Sequence, residues 1–320
     1  MRVLVTGGAG FIGSNLCEYF LGQGYEVVCL DNFSTGYQRN IEPYVGDASF
    51  RLVEGDICDL EACVEASKGC DYAFHHAALV SVPESVSDPI ATNVSNVAGF
   101  VNVLEAARRN GLKRVIYASS SAVYGDSEVL PAAEGAEGAC LSPYALTKRM
   151  NEEWADLYYR LYGLESIGLR YFNVYGRRQD PNGAYAAVIP IFVRRMMAGQ
   201  PPQINGDGSY TRDFTYVDDV VQANVRAMEA GVEAVNAVYN VAYGEESSLN
   251  ALVAELRAIL SGYDAALSGI EAEYGPLREG DIAHSVASIG LLRERLGYRP
   301  EYPLSRGLRE ACRWYWENLK

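Results

Sequence analysis

The run VTGGAGFIGSN (5–15) constrains this chain more than any other. Before it stands VLVT (3–6), apolar and β-branched, which predicts a buried strand; after it the pattern predicts a helix to Leu21, stopped near Gly22 and Gly24. Gly7, Gly10 and Gly13 are spaced three apart between the two. Glycines so placed allow a tight turn, let backbone approach a pyrophosphate, and let the helix pack on the sheet. The helix N-terminus then offers free N–H groups and a positive dipole end to the phosphates. Such spacing alone is also found in ordinary turns, but here a second strand, EVVCLD (26–31), ends in Asp31 at the distance where a carboxylate meets a ribose. That acid binds the adenine ribose hydroxyls and disfavours a 2′-phosphate, so the predicted cofactor is NAD rather than NADP.

Four more strands follow: FRLVEGD (50–56), YAFHHAA (72–78), RVIYASS (114–120) and ESIGLRYF (165–172). Between them, 93–109 predicts a helix, with Val97, Val101, Leu104 and Ala107 at helical spacing. Continuous apolar strands separated by helices imply a parallel sheet covered on both faces. The second half has shorter elements: 182–190, 201–208 and 274–281 read as loops over a site, and 249–260 and 304–319 as amphipathic helices. The expected fold class is α/β, a Rossmann-type doubly wound parallel sheet with a smaller mixed α/β substrate domain. The expected division is 1–172 for NAD, with return segments from about 212–240, and 173–320 mainly for substrate. At 320 residues the chain is long enough for one large domain or two coupled ones.

A formal net charge of −14 argues against nucleic acid as a partner. No stretch reaches the ~20 apolar residues of a membrane span, and MRVLVTG enters a strand directly, without the pattern of a signal peptide. The seven cysteines are odd in number and include no CxxC pair. They predict buried thiols in a reducing cytoplasm, and no metal site is expected.

The chemistry is concentrated in two runs. In LSPYALTKRMNEEW (141–154), Ser142 suits an N-cap and Pro143 the first helical position, which sets Tyr144 and Lys148 one turn apart on one face. A tyrosine, with a pKa near 10, is a poor base at neutral pH. A lysine ammonium and a positively charged nicotinamide both favour its phenolate. The pair then suits removal of a proton from a sugar hydroxyl as hydride leaves the same carbon. In YASSSAVYG (117–125), three serines end the fifth strand at the carboxyl edge, where open α/β sheets bind ligands. Taken singly, the first run is also compatible with a surface helix pair and the second with a polar strand end.

With these motifs the chain resembles an extended short-chain dehydrogenase/reductase acting on a nucleotide sugar, over nearly its whole length. The resemblance rests on the glycine turn, LDNFSTG (30–36), GDI (55–57), HHAA (75–78), SSSAVYG (119–125), YALTK (144–148), LRYFNVYG (169–176), RDFTYVDD (212–219) and REGDIAHS (278–285). Within that family it is most similar to UDP-hexose 4-epimerases, particularly bacterial UDP-N-acetylglucosamine 4-epimerases, through RYFNVYGRRQDPNGAYAAVIP (170–190). The resemblance implies that Ser120 bonds the sugar O4, that Tyr144 is base and then acid, and that Lys148 binds the nicotinamide ribose and lowers the tyrosine's pKa. It places Gly7, Gly10, Phe11, Ile12 and Gly13 at the phosphates, Asp31, Asn32, Phe33, Ser34, Thr35 and Gly36 at the adenosine ribose, and Asp56 and Ile57 at the adenine. Ala77, Ala78, Leu79, Asn96, Ser119, Tyr171 and Phe172 complete the cofactor pocket. For the UDP-sugar it implies Ser81, Ser120, Ser121, Tyr144, Asn173, Ala187, Val188, Phe192, Gln203, Asn205, Arg212, Leu249, Arg278, Asp281 and Ser285. Arg212 and Arg278 suit a diphosphate through bidentate charge-assisted bonds, though either could serve a structural ion pair.

Related 4,6-dehydratases carry an Asp-Glu pair after the catalytic hydroxyl, and decarboxylating relatives keep the glutamate. Here those positions are Ser121 and Ala122, which cannot transfer the protons needed to eliminate water. Hydride removal at C4 and its return remain, which is epimerisation. The position of Ser285 acts in this family as a gate beside C2, and a small residue there leaves room for an N-acetyl group. The expected substrates are UDP-GlcNAc/UDP-GalNAc, with UDP-Glc/UDP-Gal. The alternatives are a UDP-uronate 4-epimerase, a net NAD-dependent dehydrogenase, and a non-catalytic NAD-binding scaffold. Family analogy gives a homodimer paired through helices near 94–109 and 144–162.

Overall fold

The computed structural model describes residues 1–182, 187–277 and 282–319. Its centre is a parallel sheet of seven strands. Six are β1 (Arg2–Thr6), β2 (Glu26–Asp31), β3 (Phe50–Glu54), β4 (Tyr72–His75), β5 (Arg114–Ser120) and β6 (Glu165–Tyr171). The spatial order is β3-β2-β1-β4-β5-β6, and the strand Ala237–Val241 closes the edge beside β6. Every neighbouring pair is parallel.

Parallel strands need crossovers, and the crossovers put helices on both faces. On one face the helices Phe11–Gly22 and Val217–Glu229 bury Leu16, Phe20, Val220 and Val221 against the sheet. On the other, Leu60–Ser67, Gly99–Asn110 and Pro143–Tyr162 bury Cys63, Phe100, Leu104, Ala155 and Tyr158. Strand order reverses between β1 and β4, and ligands of such sheets bind outside the carboxyl ends at that switch point. The glycine turn after β1 and His75 at the end of β4 both lie there.

A third core lies in the C-terminal part. The helices Val188–Met197, Leu249–Ser261 and Leu304–Asn318 bury Ile189, Phe192, Leu252, Leu256, Leu308 and Tyr315 together. Three small sheets roof the site. Val174–Tyr175 pairs with Thr215–Tyr216; Thr211–Arg212 lies between Ser247–Ser248 and His284–Ser285; and Gln203–Asn205 pairs with Glu273–Gly275.

Three expectations need correction. The stretches 201–208 and 274–281 are not wholly loops, because Gln203–Asn205 and Glu273–Gly275 satisfy each other's backbone groups in a parallel ladder. The stretch 182–190 is not a loop to its end, since a helix begins at Val188. The helix expected over 93–109 is broken in character: Pro89–Asn93 is α, Val94–Ala98 is π, and Gly99–Asn110 is α again. Among the described residues no helix is long and apolar enough to cross a membrane.

Candidate active site

The three glycines each have a steric reason. Gly7 has φ +70° and donates its N–H to the Leu30 carbonyl at 2.8 Å. A Cβ on Gly7 would come within 2.6 Å of the Ala77 nitrogen, and one on Gly13 within 2.1 Å of the Gly7 carbonyl oxygen. A Cβ on Gly10 meets only that same oxygen, at 3.1 Å. Helix and turn are therefore in backbone contact, with the N-terminus of Phe11–Gly22 open to the groove. At the end of β2, Asp31 accepts the N–H groups of Ala9 at 2.9 Å and Phe33 at 2.8 Å. Burial raises its pKa and those two amides oppose the shift. Asp56 sits well placed as an anion, its pKa lowered chiefly by the Cys58 N–H at 2.8 Å, with Asn32 adding a further bond at 2.9 Å.

One groove is lined by Gly7, Gly10, Asp31, Asn32, Ser34, Thr35, Asp56, Ile57, Ala77, Ala78 and Leu79, all anticipated from sequence. Leu30, Gly55, His76 and Ser95 complete it and were not anticipated. Phe11, Ile12, Gly13, Phe33 and Gly36 frame the turn rather than line the groove. Asn96 acts at one remove: its amide exchanges both hydrogen bonds with the Leu79 backbone, at 2.8 and 2.9 Å, and so fixes the wall 77–79. A glycine cradle closed to a Cβ at Gly7 and Gly13, a helix N-terminus and a carboxylate at the end of β2 fit a dinucleotide. Among the described residues no lysine or arginine lines the groove, which fits NAD and not a 2′-phosphate.

At the carboxyl end of β5 the serines separate in role. Ser119 donates to Glu152 at 2.6 Å. Ser120 accepts the Ala122 N–H at 3.1 Å, and its hydroxyl faces that of Tyr144 and favours the phenolate. Ser121 begins the short 3-10 turn Ser121–Tyr124 and faces a cavity. Tyr144 and Lys148 come from the helix Pro143–Tyr162, which Ser142 caps through the Ala145 N–H at 3.1 Å. Lys148 is 2% exposed, donates to the Ala118 carbonyl at 2.9 Å, and stands 5.9 Å from the centre of the Tyr144 ring. Burial pulls its pKa down to about 8, with Glu152 opposing. Burial raises the Tyr144 pKa, and the bond to Ser120 opposes that. His75 and His76 stand beside them, held neutral by burial first and by Lys148 second, His76 down to about 3. His76 Nε2 meets the Tyr171 hydroxyl at 2.9 Å, which places Tyr171 behind the groove.

Two cavities lie on the substrate side. The first, of about 290 Å³, is lined by the anticipated Asn173, Ala187, Val188, Phe192, Gln203, Asn205, Arg212 and Leu249, and also by Val174, Tyr175, Ile189, Ile204, Tyr210 and Phe214. The second, of about 310 Å³, takes in Ser121, Ala122, Phe172 and Ser285. Asn173 and Arg212 line both. Ser285 reaches the site because its strand pairs with that of Arg212, residue opposite residue. Asp213 organises this corner and was not anticipated. Its buried carboxylate accepts N–H groups of Tyr243, Gly244 and Ala287, and burial pushes its pKa up to about 6. Its place in RDFTYVDD was visible, but nothing in sequence distinguishes an inward acid from an outward one.

Ser81 is not brought into either cavity. Its hydroxyl accepts the Glu84 N–H at 3.1 Å and caps the helix Val82–Ser87. Arg278 and Asp281 lie outside the described residues. Among the described residues no group of His, Cys, Asp and Glu is arranged to hold a metal.

Known proteins agree with this geometry. Residues 3–242 match the model of the NAD dependent epimerase/dehydratase family. The UDP-glucose 4-epimerase of Mycolicibacterium smegmatis is 38% identical over 317 residues, 98% of each chain. Among solved structures, the UDP-glucose 4-epimerase of Thermotoga maritima, with UDP-glucose, is 37% identical with a TM-score of 0.91, covering 100% of both chains. The UDP-N-acetylglucosamine 4-epimerase of Methanobrevibacter ruminantium M1, in complex with UDP-N-acetylmuramic acid, is 36% identical with a TM-score of 0.92, covering 99% of this chain and 98% of that one. From the glycine cradle to the Ser120, Tyr144 and Lys148 cluster, this chain belongs to the NAD dependent epimerase/dehydratase family, with NAD as its cofactor.

Proposed function

We propose that the chain is a UDP-sugar 4-epimerase that interconverts UDP-GlcNAc with UDP-GalNAc, and UDP-Glc with UDP-Gal, through a transient 4-keto sugar. The observation that carries this reading is the buried Lys148, 5.9 Å from the Tyr144 ring and bonded to the Ala118 carbonyl at the strand end that bears Ser120, with Ser121 and Ala122 at the two positions beyond it. When bound, NAD supplies a reversible hydride acceptor. The protein's groups handle the proton. Tyr144 takes it from the O4 hydroxyl and later returns it; Ser120 bonds the same oxygen; Lys148 favours the phenolate and holds the nicotinamide ribose. Neither Ser121 nor Ala122 can act as acid or base, so water is not eliminated.

In this reading, Asn173, Arg212 and the residues of the first cavity hold the UDP, and the second cavity, with Ser121 and Ser285, holds the sugar. Residues 1–172, with return segments from about 212–240, serve NAD; 173–320 serve mainly the substrate. The small side chain of Ser285 leaves room for an N-acetyl group. A homodimer paired through helices near 94–109 and 144–162 is supported by the exposed apolar side chains of Val94, Leu146 and Leu161, with Val86 and Ile90 on the segment before them. The cysteines are free among the described residues; five are buried as expected, whereas Cys58 is exposed and Cys140 half-buried, and free thiols of this kind support a reducing compartment.

Purified protein incubated with UDP-GlcNAc and no added cofactor is expected to form UDP-GalNAc without net NADH. No conversion of UDP-hexose, UDP-HexNAc or UDP-hexuronate would refute the reading. In the same assay Ser285→Tyr should lose at least ~10-fold on the N-acetylated pair while retaining the plain pair, since pocket shape discriminates by roughly this much. Undiminished turnover of the N-acetylated pair would remove the gate.

A further inference from the structure

Beneath the three serines lies a charged cluster that these roles do not use. Glu152 stands four residues beyond Lys148 on the helix Pro143–Tyr162, one turn along the same face. Its Oε1 accepts the Ser119 hydroxyl at 2.6 Å and Arg170 Nε at 2.8 Å, and its Oε2 accepts Arg170 Nη2 at 2.7 Å. A two-pronged bond of this kind fixes the plane of a carboxylate as well as its position. Arg170, on β6, is 3% exposed and donates from Nη1 to the Tyr124 hydroxyl at 3.1 Å and to Glu137. Ala118, whose carbonyl takes the Lys148 ammonium, immediately precedes Ser119. One carboxylate thus touches the strand end that carries Ser120 and lies a helical turn from the lysine.

We propose that Glu152 is a positioning residue for the reaction: it sets the end of β5 through Ser119 and faces the buried Lys148 ammonium with a fixed negative charge, so that Ser120 and Lys148 meet Tyr144 in register. Its link to turnover rests on the epimerase reading, but its effect on the ionisation of Tyr144 does not.

The charges are balanced. Lys148 and Arg170 are positive, Glu152 and Glu137 negative. The other groups facing the cluster are neutral or further off: His75 from β4 and His76 just after it, Tyr117 from β5, Tyr124 from the 3-10 turn, Glu134 beyond that turn, and Tyr144 and Asp156 from the same helix. Burial lowers the Lys148 pKa and Glu152 opposes it. Without that charge, burial acts unopposed and the lysine loses its proton at lower pH. In the NAD-loaded chain, where the ammonium and the nicotinamide charge together favour the Tyr144 phenolate, that phenolate then forms at higher pH.

The test uses the full NAD-loaded chain with Glu152→Gln, Glu152→Asp and Ser119→Ala. Two readouts are followed: kcat and KM against pH, and the phenolate absorbance of Tyr144 against a Tyr144→Phe background. Glu152→Gln should lower kcat ~10-fold with KM nearly unchanged, move the alkaline limb of kcat down by about one pH unit, and move the phenolate transition up. Glu152→Asp keeps the charge and should leave the limb in place. Loss of activity by one factor at every pH with both transitions unmoved would overturn the proposal, as would wild-type behaviour. If the unaltered protein converts no UDP-sugar, the functional reading fails and the phenolate transition alone decides on Glu152. If Glu152→Gln does not fold, Ser119→Ala decides: a several-fold lower kcat with the limb unmoved supports the proposal, and a wild-type kcat overturns it.

Discussion

Lys148 works close to its own point of deprotonation. Its pKa, depressed by burial to about 8 against the pull of Glu152, leaves the ammonium present below that pH and lost above it. Activity that depends on the ammonium should therefore fall as pH rises through about 8, measured as kcat from neutral to alkaline pH. Lys148→Met should abolish that limb and lower kcat ~100-fold or more, within the usual range for proton-transfer machinery. An alkaline limb unchanged in Lys148→Met would assign the titration elsewhere. At this scale sequence named residues that the structure also gathers: Ser120, Tyr144 and Lys148 around the end of β5, and Asp31 in the groove at the end of β2. It was silent where direction decides the role. Ser81 and Glu84 form the Ser-x-x-Glu spacing of a helix cap, and the structure uses the hydroxyl for that. Asp213 points inward only because three amides from distant segments converge on it.

Among the elements, the glycine turn leaves least room for change. Gly13→Ala would put a methyl group 2.1 Å from the Gly7 carbonyl oxygen, where backbone rather than a flexible side chain must yield. The expected outcome is loss of most bound NAD and a destabilisation of roughly 1–3 kcal/mol, the usual cost of overpacking. NAD content after purification and a urea melt would measure both; Gly22→Ala, with nothing within 4 Å of its added Cβ, is the control. The long strands were legible because continuous apolar runs can hardly be anything else in a sheet buried on both faces. The strands Gln203–Asn205 and Glu273–Gly275 were not. Three residues carry no periodicity, and each exists only through a partner some 70 positions away. The π segment Val94–Ala98 was hidden for another reason, since one extra residue in a turn leaves the apolar spacing on either side intact.

Across the whole molecule, residues 177–180 are fastened to the helix Phe11–Gly22 and to Tyr37. Glu18, on the helix that presents its N-terminus to the cofactor, accepts Arg177 at 3.0 Å and Arg178 at 3.0 Å. Asn15 of the same helix donates to the Arg177 carbonyl at 3.2 Å, and Tyr37, just beyond the ribose-side turn, donates to Asp180 at 2.5 Å. Burial would raise the Glu18 pKa, but the two arginines hold it below the usual value. The stabilisation is therefore present above the ordinary carboxylate range and lost as pH falls through it. Glu18→Gln should cost less than about 1 kcal/mol in stability, because the pair is partly exposed. It should also reduce the extent to which added UDP slows NAD release. Equal release rates in the variant and the parent, with and without UDP, would show that the fastening carries no coupling.

Arg212 stands in the wall common to the two cavities that the proposed reaction gives to the UDP-sugar. In the proposed reaction the ketone must offer its opposite face before the hydride comes back. A ligand anchored at that shared wall by its phosphates has a fixed axle there. Beyond it lie about 310 Å³ in which the short Ser121, Ala122, Gly125 and Ser285 form one part of a wall that Tyr124, Leu130, Phe172 and Ile282 complete. In that reaction, the shortness of Ser121 and Ala122 that denies the site an acid for dehydration also leaves the sugar space on that side to turn.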